Sequence, residues 1–378
     1  MLDPASRARD FPALGRMVYL NTAAEGIPPP AVAEALSQYA RDKALGMDGR
    51  LEHAKVHARA RAAAAALVGL GPDDVAICSC SSEAYNLAAL ALRLSDGDEV
   101  VVTDLDFPAS VTPFLQQACP ATVKVWRSRG GRLEGADLAA LLSPRTRLVS
   151  LPLVSFYNGF RADVPATAAV VARHSPALLA VDATQALGRI PLDRGSGALA
   201  GADLVVSSTH KWLLGPHGGG IVGVPPHRRD AWTVPAGGWF NIRDAFGGER
   251  FAAAESLAGA ASFAVGMPNY PAIYGIAAAL DYISGVGIDA IDRHAAPLVA
   301  ACHEGLVSRG VEMLSPADPR ALAGILAFRH PRAEAVHAAL HARGIHVMHH
   351  AGRLRVAIHG YTTAADVEAF LSALAAAA

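Results

Sequence analysis

Between Val75 and Val224, short apolar runs alternate with stretches in which apolar residues recur every three or four positions. The runs predict strands at Val75–Ser79, Glu99–Thr103, Thr122–Trp126, Leu148–Leu153, Leu178–Asp182, Asp203–Ser207 and Gly220–Val224. They are rich in Val, Leu and Ile with little polar alternation, the pattern of strands covered on both faces. Helical spacing lies between most of them, as in Glu83–Leu94 and Pro165–His174. This predicts an α/β sheet wrapped by helices. Gly237–Gly259 has no clear period and predicts a long loop, a feature often functional in compact enzymes. An apolar helix at about Ala272–Ile283 leads to a second unit. There a helix at about Asp289–Arg309 precedes strands near Gly324–His330 and Leu354–His359, with helices at Arg332–Arg343 and Ala364–Ala376. Three regions are expected: a segment 1–66 packing beside the C-terminal unit, a large domain 67–265, and a linker helix with a smaller α+β domain over 266–378.

Composition narrows the class. The 378 residues are 52% apolar and 18% charged, ample for a buried core. A net charge of −1 and the lack of any Lys/Arg-rich run give no general attraction to nucleic acid. Met1–Asp10 carries no apolar signal region, and no apolar run is long and unbroken enough to span a bilayer. A soluble protein of the reducing cytoplasm is expected. The four cysteines lack metal-ligand spacing, and Cys78 and Cys80 are too closely tied along one strand side for an ordinary disulfide. Of the 33 basic residues only Lys43, Lys55, Lys124 and Lys211 are lysines. The first three lie in polar contexts; Lys211 lies in an apolar, glycine-flanked one.

Three pieces carry candidate chemistry. In the first, a buried strand delivers Ser208, His210 and Lys211 to its carboxyl end, where open α/β sheets keep their binding crevice. A desolvated amine there has a lowered pKa and is a nucleophile near neutral pH; alternatively, Lys211 snorkels from a strand end. The second is Asp182, which ends an apolar strand. An unpaired carboxylate there is costly, whereas one facing a protonated ring nitrogen is paired; a helix N-cap is the other role open to it. The third is Ser79-Cys-Ser-Ser-Glu83, between a strand and a helix, which suits either a phosphate at the helix start or plain capping.

The order of these pieces resembles the class V aminotransferase and cysteine-desulfurase family of pyridoxal-phosphate enzymes. The likeness begins at Tyr19-Leu-Asn-Thr-Ala-Ala and runs through Ser81-Ser-Glu-Ala-Tyr-Asn and Asp106-Phe-Pro-Ala-Ser. It continues through Val181-Asp-Ala-Thr-Gln-Ala, Ser208-Thr-His-Lys, Gly266-Met-Pro-Asn and Leu354-Arg-Val-Ala-Ile. The separation of Asp-x-x-Gln from Ser-x-His-Lys is its most specific part. The resemblance implies the fold type I of these transferases, with a mostly parallel seven-stranded sheet, flanking helices and a homodimer whose sites lie at the interface. It implies pyridoxal 5'-phosphate held covalently by Lys211, which then shuttles protons. It also places Asp182 against the pyridinium nitrogen, Gln185 at the ring hydroxyl and Phe107 stacked on the ring. Ser81, Ser82, Ser208 and His210 fall at the phosphate, and Arg355 at the substrate α-carboxylate, which its bidentate fork suits.

Two departures bear on the reaction. A cysteine desulfurase carries its nucleophilic cysteine on the loop before the arginine strand; here that stretch, His346 to Arg355, contains none. Met267 stands where the family often has a threonine lent to the neighbouring subunit's phosphate, which leaves that contact open. His349 and His350 are placed at the pocket mouth, as substrate-binding or proton-transfer groups or as solvated loop histidines. Arg161 either faces substrate or pairs with Asp163. The expected activity is that of a lyase or transferase acting on an α-amino acid through a Schiff base with the cofactor. Cα deprotonation with β-elimination from a small or cysteine-derived substrate is the leading outcome, ahead of transamination or epimerisation. Two other classes fit less well. A nucleotide-binding module is disfavoured because Gly215–Gly220 lacks a phosphate-loop motif. A non-catalytic cofactor-binding regulator is expected to carry a DNA-binding domain, for which the residues before Tyr19 leave no room.

Overall fold

The computed structural model describes residues 1–192 and 197–377. A two-residue strand, β1 (Val18–Tyr19), precedes the large domain. There β2 (Val75–Cys78), β3 (Glu99–Thr103), β4 (Thr122–Trp126), β5 (Thr146–Pro152), β6 (Leu178–Asp182), β7 (Leu204–Ser208) and β8 (Gly220–Gly223) form one sheet. Its order is β2-β8-β7-β6-β5-β3-β4, parallel throughout except for β8, which runs antiparallel to both neighbours. The mostly parallel sheet is thus the fold type I expected from the sequence.

Side chains alternate between the faces of this sheet. From β2, Val75 and Ile77 join the core on one face, while Ala76 and Cys78 join the core on the other. The first face is covered by helices Gly49–Val68, Val164–His174 and Tyr270–Val286, the second by helix Ser81–Ala91 with Trp232 and Phe263. Burial on both sides is why the inner strands read as unbroken apolar runs, whereas the edge strand β4 is only partly buried.

The small domain contains β9 (Glu312–Met313), β10 (Ile325–Arg329), β11 (Ile345–His346), β12 (Met348–His350) and β13 (Arg353–Ala357). An antiparallel sheet of order β12-β13-β10-β9 packs against helices Ile288–Val307, Ala333–Ala342 and Ala364–Ala377. β11 pairs in parallel with β1. Leu354 and Val356 of β13 are fully buried in this core. Each such side chain contributes about 1.5–3 kcal/mol. A one-residue slip would turn both out of the core, so their burial fixes which face Arg353 and Arg355 present.

Residues 1–66 divide between the two units rather than packing as one piece. Val18–Tyr19 add to β11, and Arg7 pairs with Asp366 of the small domain. In contrast, Ala60, Ala64 and Ala65 of helix Gly49–Val68 enter the large-domain core, because alanines on one helical face allow close approach to the sheet. Gly237–Ala258 contains no helix or strand, only turns and an isolated bridge between Ile242 and Ser256. No single helix among the described residues is long and apolar enough to cross a membrane.

Candidate active site

A cavity of about 650 Å³ opens where the carboxyl ends of β5, β6 and β7 meet β12 and β13 of the small domain. It brings together Ser81, Ser82, Phe107, Asp182, Gln185, Ser208, His210, Lys211, His349, His350 and Arg355. Every site residue expected from the sequence therefore lines one cavity.

Lys211 follows β7 by three residues, and its backbone turn is held from outside. The Gly26 N–H donates to the His210 carbonyl at 2.8 Å, and the Leu214 N–H donates to the Lys211 carbonyl at 3.0 Å. The Lys211 ammonium stands 5.0 Å from the centroid of the Phe107 ring. Burial pushes its pKa down to about 8; the Asp182 carboxylate opposes that shift and the Arg355 charge adds to it.

Asp182 ends β6, buried, and its carboxylate accepts from the Thr184 N–H at 2.8 Å. Burial nevertheless raises its pKa, with the Thr184 contacts and Lys211 pulling the other way. Beside it the Tyr85 hydroxyl is fully buried, its ionisation suppressed by burial and then by Asp182. Gln185 is tied at both ends: its amide nitrogen donates to the Ala23 carbonyl at 3.1 Å and its oxygen accepts from the Trp212 indole at 2.7 Å. One amide hydrogen remains for a bound group.

The start of helix Ser81–Ala91 also lines the cavity. Cys80 is its N-cap, its sulfur accepting from the Glu83 N–H at 3.4 Å. This leaves the first N–H groups and the exposed Ser82 facing outward. The Ser208 hydroxyl donates to that of Ser81 at 3.0 Å, joining the strand end to the helix start. His210 stacks on His217 at 4.7 Å, and burial lowers its pKa to about 4, so near neutral pH it is an uncharged N–H donor. The exposed ring of Phe107 meets Phe156 edge-on at 5.0 Å.

These features fit pyridoxal phosphate. A buried carboxylate at an energetic disadvantage calls for a cationic ring N–H, an unsatisfied helix start with two hydroxyls and a neutral imidazole suits a phosphate, and an amine lines the same cavity.

On the small-domain side, Arg355 is 2% exposed, and among the described residues its only hydrogen bond runs from Nη1 to the Phe156 carbonyl at 2.9 Å. His349 and His350 lie on β12, opposite Leu354 and Arg353. Only Ala351 and Gly352 separate β12 from β13, both in the left-handed region at φ 50° and 72°, which makes this a tight two-residue hairpin turn. Arg161 takes neither role weighed for it. It lies away from the cavity, and Asp163 caps helix Val164–His174 instead of pairing with it.

Sequence reasoning missed Arg353, Phe156 and Thr184, all of which line the cavity. Arg353 was within reach: residues i and i+2 of a strand share a face, so Arg355 implies it once Leu354 is assigned to the core. Phe156 and Thr184 carry no such signal.

A mostly parallel α/β fold whose strand ends bring a low-pKa lysine, a buried aspartate and a helix start into one cavity defines a pyridoxal-phosphate enzyme of fold type I. The sequence profile of the family "Aminotransferase class-V" matches residues 18–370, and the chain belongs to that family. Its cofactor is pyridoxal 5'-phosphate. It is 30% identical over 318 residues to the uncharacterized aminotransferase YcbU of Bacillus subtilis (strain 168), a match covering 84% of this chain and 82% of that one. Two solved structures share the fold. The apo cysteine desulfurase of Thermococcus onnurineus NA1 matches with a TM-score of 0.87 at 24% identity, over 98% of this chain and 97% of that one. The cystine C–S lyase C-DES in complex with cysteine persulfide matches with a TM-score of 0.85 at 23% identity, over 97% and 99%.

Proposed function

We propose that this enzyme removes the Cα proton of an α-amino acid and completes a β-elimination, of the C–S lyase type, on a small or cysteine-derived substrate. The observation that carries the reading is the amine of Lys211. Its pKa of about 8 leaves a usable neutral fraction near pH 7, in a cavity whose other wall presents Arg355. Pyridoxal phosphate supplies an electron-withdrawing ring that weakens whichever Cα bond stands perpendicular to it. Arg355 binds the α-carboxylate through its unspent donors and so sets which Cα bond takes that orientation. Lys211, as a neutral amine, accepts the Cα proton. Asp182, buried at the end of β6, would pair with the protonated ring nitrogen and keep the ring electron-poor. Strands β12 and β13 close the cavity from the small-domain side and limit water.

The tight turn at Ala351–Gly352 supports elimination over persulfide-forming desulfuration. It has neither a cysteine nor the length to carry one to the substrate. A cystine C–S lyase built on the same fold indicates that the architecture accommodates such chemistry. Transamination is the competing outcome, favoured by the likeness to a relative named as an aminotransferase. The test is to incubate the holoenzyme with amino acids and S-substituted cysteines. Equal amounts of pyruvate and ammonia, abolished in Lys211→Ala, are expected. A keto acid retaining the substrate's own carbon skeleton, with no ammonia released, would instead establish transamination.

A further inference from the structure

We propose that the substrate carries a second anionic group on its side chain and that Arg353 receives it. This rests on the cavity being an amino-acid site with Arg355 at the α-carboxylate. Arg353 and Arg355 alternate along β13 with Leu354, whose burial turns both arginines to the cavity. Their Cα atoms are about 7 Å apart along the strand. Arg353 is 3% exposed.

The accounting of partners separates these two residues from the other deeply buried arginine. Arg189 donates to the carbonyls of Ile358 and Ala323 and pairs with Asp292 at 2.7 Å. Arg353 has no carboxylate partner among the described residues, and its buried Nε has no acceptor. Its guanidinium carbon stands over the Tyr157 ring at 4.2 Å from the centroid, with the Phe156 ring at 5.7 Å. A guanidinium held over a ring face spends none of its N–H donors on that contact. Among the described residues Arg355 likewise has an unpartnered Nε and no carboxylate partner. Across the strand, Arg353 faces His350 and Arg329, neither of them an acid. Burial disfavours the charge on each, and the field of Arg353 further disfavours that of Arg355.

Two adjacent guanidiniums out of water without counter-charge are costly. A single α-carboxylate relieves one and leaves the other. A ligand with two acid groups relieves both. The substrate class is therefore an α-amino acid whose side chain ends in an anion, either an amino dicarboxylic acid or a cysteine whose sulfur substituent bears an acid.

The test uses the holoenzyme and unreactive acids, so that binding is read apart from turnover. Calorimetry with succinate and glutarate against propionate and butyrate is expected to show diacids binding about 10- to 100-fold more tightly, the range for a charge-assisted contact. Arg353→Met should bring that ratio near one, Arg353→Lys should restore part of it, and Arg355→Met should weaken monoacids and diacids alike. Turnover then separates the sources: aspartate and glutamate against their amides, and S-carboxymethylcysteine against S-methylcysteine. Equal binding of monoacids and diacids by the wild-type enzyme overturns the proposal without any variant having to fold. Loss of cofactor in Arg353→Met with an unchanged diacid ratio also overturns it. A diacid preference without pyruvate or ammonia from any amino acid sinks the elimination reading and leaves this one standing.

Discussion

Position 211 illustrates how much one side chain owes to its surroundings. A lysine at the ordinary value of 10.5 is neutral in fewer than about one molecule in a thousand at pH 7, whereas at about 8 the fraction is about one in ten. Burial, not a neighbouring cation, is the main cause. Because only the neutral amine is nucleophilic, acylation of Lys211 in the cofactor-free protein should rise with pH through about 8, followed residue by residue by mass spectrometry. Asp182 raises this pKa, so Asp182→Asn should move the curve to lower pH. A wild-type curve still flat at pH 9 contradicts the assignment. Arg355 offers a complementary case. It touches the Phe156 carbonyl and no cofactor-facing group, so Arg355→Ala should weaken amino-acid binding about 10- to 100-fold, the range for a charge-assisted hydrogen bond, and change cofactor affinity far less. Equal losses in the two titrations would make Arg355 a structural residue.

Among the elements, the turn carrying Lys211 depends on a segment nearly two hundred residues away. The N–H of Gly26 holds the His210 carbonyl, and a Cβ at Gly26 would overlap the Lys211 carbonyl oxygen and crowd Leu214. Gly26→Ala should therefore displace the lysine turn, at a cost of about 1–3 kcal/mol for overpacking. Thermal melting should fall and cofactor retention with it, while Gly15→Ala, with nothing near its Cβ, serves as the control. Unchanged melting and retention in Gly26→Ala would mean that the clamp is slack. Nothing local in the sequence announces this contact, because it joins elements by tertiary packing alone. Other elements were legible. The strands at 99–103 and 178–182 fall where the Val- and Leu-rich runs placed them, since burial on both faces leaves an unbroken apolar signature, and the edge strand at 122–126, only partly buried, also falls at its expected bounds. The reversal of β8 was not legible: Gly220–Gly223 reads the same in either direction, and its sense depends on β2 and β7 on either side. The pairing of β1 with β11 involves two residues a side, too few for any period to show. Asp182 could be read because it ends an apolar run with a charge, and Lys211 because it stands just past one in a glycine-flanked setting, whereas Arg353 needed the register of β13.

For the whole molecule, the cavity belongs to neither domain alone: the large sheet supplies the lysine and aspartate, and the small domain supplies the arginines. Whether a second copy completes it turns on the apolar surface that the single chain leaves uncovered. Trp239 packs on Phe240 and on Phe246, Phe240 lies 6.2 Å from His57, and His57 meets Tyr270, three residues beyond the exposed Met267. Met47 and Leu51, at the start of the helix carrying His57, are 71% and 69% exposed. Exposed apolar residues this large and this connected mark an interaction surface. We propose that a second copy of the chain covers it, which agrees with the interface position that the family resemblance gives to Gly266–Asn269. Sedimentation should then report twice the 39.1 kDa chain mass at micromolar concentration. Met267→Glu, which places a charge in that apolar surface, should shift the equilibrium toward monomer and release cofactor in parallel, because Met267 would lie between the two sites. If the wild-type protein sediments as a monomer and still turns over substrate at that concentration, the site is complete within one chain, and the exposed aromatic surface serves another partner.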